Sequence, residues 1–568
     1  MDRAPTRIRS PRTPDAGLVI HRIVRFHFWI AAALAAIVTA TGLIWSTRVA
    51  AGADAYGYVS QADLWLRGDL HIDQSFGASV PWPMARWTFA PLGYRPEPDG
   101  YRIVPQYSPG LPLLMAAFKA IAGQCAIFWV VPICGGVLVG ATYAIGRRAG
   151  RPLVGLGAAW LVATSPTVLF MLMAPMSDVP AAAAWAVSVA CALGQTPVAA
   201  LSAGAAAAVA ILIRPNLAPL AGVIFLWLLW RGRVRKEPVT TQPAPWFLVP
   251  AAAGAGAVAL INARLYGSPL ASGYDLTDGF MLSYVWPNFQ QYAEWLASAE
   301  TPFALAGLGV LALAKAPFWV TDAASDARWL LGGVAAIVWA SYLAFVPWDA
   351  WWYLRFLLPA WPAMTIAMAA MAAADYRQPS SRRRAVAIVL LAAIGIHGVW
   401  QAVRRQAFAV ALGESKYVEV AKTVESLTDP DAVIIAAQHS GSIRYYAGRL
   451  TLRWDVGDPA WLDRTVDWLI AHGHHPYFVL EPQEIDELRA RPGPTNLSAR
   501  LDWTPMVSFR GGAVTMYDGA RRTRDGIPVV QLPARVSHEC LMQRPAPGLR
   551  NTELRTQNSR LRTQNAEP

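Results

Sequence analysis

Over its first four hundred residues the chain alternates apolar runs of fifteen to twenty residues with short polar turns. A helix needs ~20 apolar residues to cross hydrocarbon. The pattern therefore predicts membrane spans over Phe28–Trp45, Cys125–Ile145, Leu153–Met173, Val179–Leu193, Ala199–Ile213 and Leu217–Trp230. Further spans are predicted over Trp246–Leu265, Phe303–Val320, Trp329–Val346, Phe356–Ala373 and Ala385–Gln401. That makes about eleven transmembrane helices. Ser108–Ala122 is too short and carries Pro109 and Pro112, so it is expected to lie along the membrane surface or to re-enter.

Arginine clusters orient these spans, because cytoplasmic loops carry the excess of Lys and Arg. Gly146-Arg147-Arg148, Arg231 to Lys236, and Arg377 with Arg382 to Arg384 all fall on the side of the N-terminus. The N-terminus is thus expected in the cytoplasm and the C-terminus outside, in a bacterial inner (cytoplasmic) membrane. Residues 1–27 read as a basic, disordered arm and 28–405 as the membrane domain. Residues 48–124 form one long first external loop with a juxtamembrane helix at each end.

From about residue 410 the periodicity changes. Ala432–Ala437, Leu450–Trp454 and Tyr477–Leu480 read as strands. Ser442–Ala447, Pro459–His472 and Glu484–Arg489 between and after them read as helices. Alternating strands and helices predict a small extracytoplasmic α/β domain over 410–535. Residues 540–568 are polar, repeat Leu-Arg-Thr-Gln-Asn at 554 and 561, and read as a disordered tail.

Composition agrees with the membrane reading. The chain is 55% hydrophobic and only 15% charged, against roughly 25% charged in soluble proteins. The formal charge of +12 is accounted for by the inner loops, so no nucleic-acid partner is expected. The four cysteines, Cys125, Cys134, Cys191 and Cys540, show no spacing that suits zinc or a disulfide framework.

The ionisable residues that stand out project from outer helix ends: Asp54, Asp178, Arg214, Asp349 and Arg355. Charges beside hydrocarbon are costly and are usually kept for function. Carboxylates among arginines suit a reaction that deprotonates a hydroxyl while an anionic phosphate leaves. The carboxylate is the general base, and a guanidinium fork matches phosphate oxygens.

Several stretches carry a resemblance. They are Asp54 with Tyr56 and Tyr58 after the first span, Tyr107-Ser108-Pro109 with Pro112, Gly146-Arg147-Arg148, Ser177-Asp178-Val179-Pro180 and Arg214-Pro215. Gly267 to Tyr274 and Arg355-Phe356-Leu357-Leu358-Pro359 complete the set. In this order, over roughly residues 25–405, they resemble the GT-C superfamily of polytopic glycosyltransferases, which take sugars from polyprenyl-phosphate donors outside the membrane. Protein O-mannosyltransferases and aminoarabinose transferases are members. The resemblance implies an inverting transfer to an acceptor hydroxyl on a lipid, glycan or protein. It makes Asp54 the base and Asp178 a supporting acid. Tyr56, Tyr58, Tyr107, Arg214, Asp349, Tyr353 and Arg355 are the expected substrate-binding residues. Two departures stand out: Ala55 replaces the acid that often follows the first, and no basic residue precedes Pro109. Phosphate binding then falls to Arg86, Arg95, Arg102, Arg214 or Arg355.

Other roles compete with these. Asp54 and Asp178 could cap the helices they precede, and Arg214 and Arg355 could snorkel to headgroups. Trp348, Trp351, Trp352 and Tyr353 read first as an interfacial aromatic belt. His472, His474 and His475 read as a helix-to-strand turn rather than a metal cluster. Gln438-His439-Ser440-Gly441 lacks the surroundings of a nucleophile elbow. No cofactor is expected, and a divalent metal is left open. The alternatives to an enzyme are a flippase for lipid-linked sugars and a non-catalytic scaffold.

Overall fold

The computed structural model describes residues 16–194, 196–234, 242–274, 279–312, 322–372, 381–491, 497–521, 530–532 and 540–542. Residues 1–15 of the basic arm, 543–568 of the tail, and Arg235, Lys236 and Arg377 lie outside these.

The chain is mostly helical. Among the described residues six helices are long and apolar enough to cross a membrane: Arg25–Trp45, Gln124–Ala149, Pro215–Val234, Pro243–Tyr266, Trp351–Ala372 and Ala385–Arg404. Five apolar helices are shorter: Gly110–Ala122, Pro152–Ala163, Asp178–Ala192, Pro197–Ile213 and Phe303–Ala312.

One expected span is broken. Leu153–Met173 forms two helices, Pro152–Ala163 and Pro166–Met171. Pro166 has no amide hydrogen to continue the first helix, and the residue before a proline is pushed towards extended backbone. Ser165 has ψ 126° and its Oγ accepts the Val168 amide, which starts the second helix. The buried Glu300 carboxylate also accepts the Thr167 amide at 2.9 Å and the Ser165 hydroxyl at 2.8 Å.

The first loop is folded rather than loose. Helix Asp54–Arg67 packs against Gly110–Ala122, where Lys119 pairs with the buried Asp63. Between these helices run three short antiparallel strands, β1 (Ile72–Asp73), β2 (Tyr94–Pro96) and β3 (Arg102–Pro105), in the order β1-β3-β2.

The last third of the chain forms a six-stranded mixed sheet. The strands are β4 (Val433–Ile435), β5 (Leu450–Leu452), β6 (Pro476–Leu480), β7 (Val507–Phe509), β8 (Val514–Asp518) and β9 (Val530–Leu532). Their order is β5-β4-β6-β8-β7-β9. β4 is parallel to both neighbours and buried along its length. That explains its unbroken apolar run, since strands covered on both faces lose the polar alternation.

This sheet unit is fastened to the first loop at both of the loop's ends. Near one end the Ala50 amide donates to the Tyr446 hydroxyl at 2.7 Å, and near the other Gln124 donates to the Tyr445 hydroxyl at 3.1 Å. Between them the Leu92 amide donates to Ser440 Oγ at 3.1 Å, and Arg444 donates to the Phe89 carbonyl at 2.6 Å. Loop and sheet unit therefore share one side of the helices.

The cysteine reading is corrected here. Cys125 and Cys540 form a disulfide across a sequence separation of 415 residues. Spacing arguments work on local clusters. This pair meets because the fold returns the chain's end to the start of helix Val130–Ala149.

Candidate active site

Asp54 and Asp178 have the same local setting. Each is the first residue of its helix, Asp54–Arg67 and Asp178–Ala192. The cap positions belong to Ala53 and Ser177, and neither makes a side-chain cap bond. The capping role set against each aspartate is thus not the one found; both carboxylates point to partners on other elements. Both lie at the N-terminal end of a helix.

Asp54 Oδ1 accepts the Tyr107 hydroxyl at 2.6 Å. The ring reaches it because residue 57 is glycine. A Cβ there would come within 2.3 Å of Tyr107 Cε2. Gly93 is needed in the same way: its φ is +90°, and a Cβ would lie 2.9 Å from the Ala53 carbonyl. On the other side Arg355 approaches, with Nη1 3.7 Å from Asp54 Oδ2. The Asp54 side chain remains 35% exposed.

Asp178 is wholly buried. Its Oδ1 accepts from Arg214 Nη2 at 2.5 Å, and Arg355 Nε lies 3.9 Å away. Arg214 is held in place by Ser177 Oγ at 3.2 Å and the Tyr342 hydroxyl at 3.1 Å. Tyr58 donates to Ser177 Oγ at 3.0 Å. The Arg355 guanidinium lies over the rings of Tyr353 and Phe356 at 5.0 and 5.3 Å.

Arg355 therefore stands between two carboxylates. Two acids and two guanidinium groups balance in charge, which lets them persist beside apolar helices. The balance leaves capacity over: Arg355 Nε and Asp178 Oδ2 make no hydrogen bond. A buried donor without a close partner is expensive, and Arg355 Nε is offset by the Asp178 carboxylate 3.9 Å away.

Seven of the expected site residues meet here: Asp54, Tyr58, Tyr107, Asp178, Arg214, Tyr353 and Arg355. Two do not. Tyr56 points away into the junction with the sheet unit, against Tyr94 and Tyr445 at 5.6 and 6.3 Å. Neighbours in a helix are turned by about 100°, so Tyr56 and Tyr58 cannot share a face. Asp349 is exposed, and among the described residues no ion pair ties it to the cluster. Tyr342, Ser177 and Phe356 belong to the site without having been expected there. Tyr342 sits in the last turn of Asp322–Leu343, and its polar hydroxyl at the end of an apolar run was the available signal. Tyr353 stacks on Trp348 at 4.7 Å.

The histidines diverge. His472 Nδ1 meets the Trp468 carbonyl, His474 Nδ1 the Asp431 carbonyl, and His475 Nε2 the Asp518 carboxylate. Among the described residues no group of three or more His, Cys, Asp or Glu side chains could hold a metal ion.

No protein-family model matches the chain, and no curated protein matches it in sequence. Solved structures match in fold. ArnT from Cupriavidus metallidurans bound to undecaprenyl phosphate aligns with a TM-score of 0.54 at 13% identity, over 89% of this chain and 98% of that one. The oligosaccharyltransferase of Archaeoglobus fulgidus, tethered to an acceptor peptide, aligns with a TM-score of 0.54 at 12% identity, over 82% and 70%. A further structure of that oligosaccharyltransferase, in complex with Zn and sulfate, aligns with a TM-score of 0.52 at 13% identity, over 86% and 73%. The chain shares the fold of ArnT and of this oligosaccharyltransferase.

Proposed function

We propose that the protein is a membrane glycosyltransferase that moves a sugar from a polyprenyl-phosphate donor to an acceptor hydroxyl outside the membrane. The observation that carries this reading is the unequal pair of aspartates with Arg355 between them. Asp54 is the reachable carboxylate and takes the acceptor proton. Tyr107 holds it in place through one oxygen, leaving the other free to receive that proton. The acceptor oxygen then attacks the anomeric carbon on the face opposite the phosphate, and the configuration inverts. The bond from that carbon to the phosphate oxygen breaks, and the lipid leaves as a phosphate anion. Arg355, whose Nη1 lies towards the reachable Asp54, receives the growing charge, as a preorganised donor should. Asp178 touches no substrate. It keeps Arg214 and Arg355 charged and aimed.

The fold likeness supports this reading: one structural neighbour holds undecaprenyl phosphate and another is complexed with dolichol-phosphate and an inhibitory peptide. We place the chain in a bacterial cytoplasmic membrane, with the 48–124 loop and the sheet unit of 410–535 outside. Incubation of the purified protein with a panel of radiolabelled polyprenyl-phosphate sugars and membrane extract tests the proposal. Label transfer from at least one donor is expected, and its loss in Asp54→Asn. Transfer by Asp54→Asn at the wild-type rate would remove Asp54 from the mechanism.

A further inference from the structure

On the outer face of the first loop lies a cavity of about 490 Å³ that the site described above does not use. Trp87 and Tyr101 line it, with Arg86, Arg95 and Glu97. Tyr101 is 42% exposed. Both arginines are held by backbone carbonyls. Arg86 donates to the carbonyls of Glu97 and Pro98, and Arg95 donates to the carbonyls of Ser272 and Gly273. Both are anchored by neutral backbone, and neither pairs with a carboxylate among the described residues. The Nε of each is buried without a hydrogen-bond partner. The one carboxylate in the wall, Glu97, is taken by Arg102 at 3.0 Å. The cavity thus combines the exposed Tyr101 ring with two guanidinium groups that no carboxylate pairs among the described residues, one of which, Arg95, also lies over the rings of Trp87 and Tyr266 at 5.6 and 5.5 Å.

The cavity is joined to the carboxylate cluster by short steps. Arg95 holds the carbonyl of Gly273, and the next residue, Tyr274, lies with its ring 5.8 Å from that of Tyr107. Tyr107 in turn holds Asp54. Strand β2, which carries Arg95, begins next to Gly93, whose backbone packs on the Asp54 helix.

We infer that this cavity binds an acidic glycan, the acceptor of the proposed transfer. The inference rests on that reading for its role but not for its binding. Aromatic faces pack on the C–H faces of sugar rings, and a few placed polar groups fix orientation in such pockets. Guanidinium groups tied to backbone carbonyls are pre-set for carboxylate or phosphate oxygens.

The test uses the full-length protein in detergent and fluorescently labelled oligosaccharides of equal length: neutral, carboxylated and phosphorylated. At least one acidic probe should bind at least tenfold more tightly than the neutral one, and the tighter of the two identifies the anionic substituent. Arg86→Gln and Arg95→Gln should each reduce that preference at least fivefold. Tyr101→Ala, at an exposed position, should weaken neutral and acidic probes alike. Equal affinity for all three probes, or affinity unchanged in Tyr101→Ala, would overturn the assignment. Asp54→Asn should bind the acidic probe as wild type does while losing transfer. If it binds normally and still transfers, the cavity stands and the base assignment falls.

Discussion

Asp54 and Asp178 open their helices in the same way, yet their surroundings differ. Asp54 is partly exposed, with a single close hydrogen bond to Tyr107 and a guanidinium at 3.7 Å. Asp178 is sealed, with a charged hydrogen bond of 2.5 Å. A carboxylate that must take a proton from an incoming hydroxyl has to be reachable. One that aims a guanidinium has to be fixed. The difference teaches that role is set by exposure and partners, not by the local helix start that the two residues share.

The comparison is tested most strongly by Asp54→Asn. Loss of a general base costs about 10²–10⁴-fold in rate, and the unfolding temperature in detergent should stay near wild type. Asp178→Asn should behave in the opposite sense. It leaves Arg214 buried beside a neutral partner, and breaking such a pair costs about 3–5 kcal/mol. A lower unfolding temperature should therefore accompany its loss of transfer. Arg355→Lys keeps the charge but loses the fork, and should lower transfer by about tenfold, near 1.4 kcal/mol. Tyr107→Phe removes one charge-assisted hydrogen bond, on the order of 1.5 kcal/mol, and should lower transfer about tenfold or less with little change in stability.

The smallest effect lies outside the comparison, where the sheet unit meets the helices. Burial pushes the Glu414 carboxyl up to about 7, with Lys416 opposing the shift and Glu481 reinforcing it. The folded protein holds this proton more tightly than the unfolded chain does. Its contribution to stability is therefore full below the ordinary carboxylate range and is lost as pH rises through about 7. Glu414→Gln should flatten the fall in unfolding temperature between pH 5 and 8 by about 2–4 °C.

The mostly helical architecture was legible in the sequence because hydrophobic length is a strong local signal. The buried run at β4 and the ordered outer-end charges were equally plain. The break at Ser165-Pro166 was visible as a proline, but it lay inside a run apolar enough to hide it. Strands β7 and β8 escaped notice because both are short and mix polar with apolar residues, and β8 buries even Thr515 and Asp518. Within the site, a helix after the first span already turns Tyr56 and Tyr58 about 200° apart, but sequence order could not say which of them faces the carboxylates. Nor could it reveal that Gly57 makes room for Tyr107, since that contact spans fifty residues. The Cys125–Cys540 bridge depends on segments 415 residues apart meeting, and no local pattern announces it. The cavity around Trp87 and Arg95 is built within residues 77–101, but only the folded loop brings its aromatic rings and guanidinium groups to one wall.

The central claim is that Asp54 is the reachable base of a lipid-linked sugar transfer. The most direct measurement is a side-by-side assay of label transfer from a radiolabelled polyprenyl-phosphate sugar by wild type, Asp54→Asn and Asp178→Asn, each with its unfolding temperature. The result expected is loss of transfer without loss of stability in Asp54→Asn, and loss of both in Asp178→Asn. Wild-type transfer by a stably folded Asp54→Asn would contradict it.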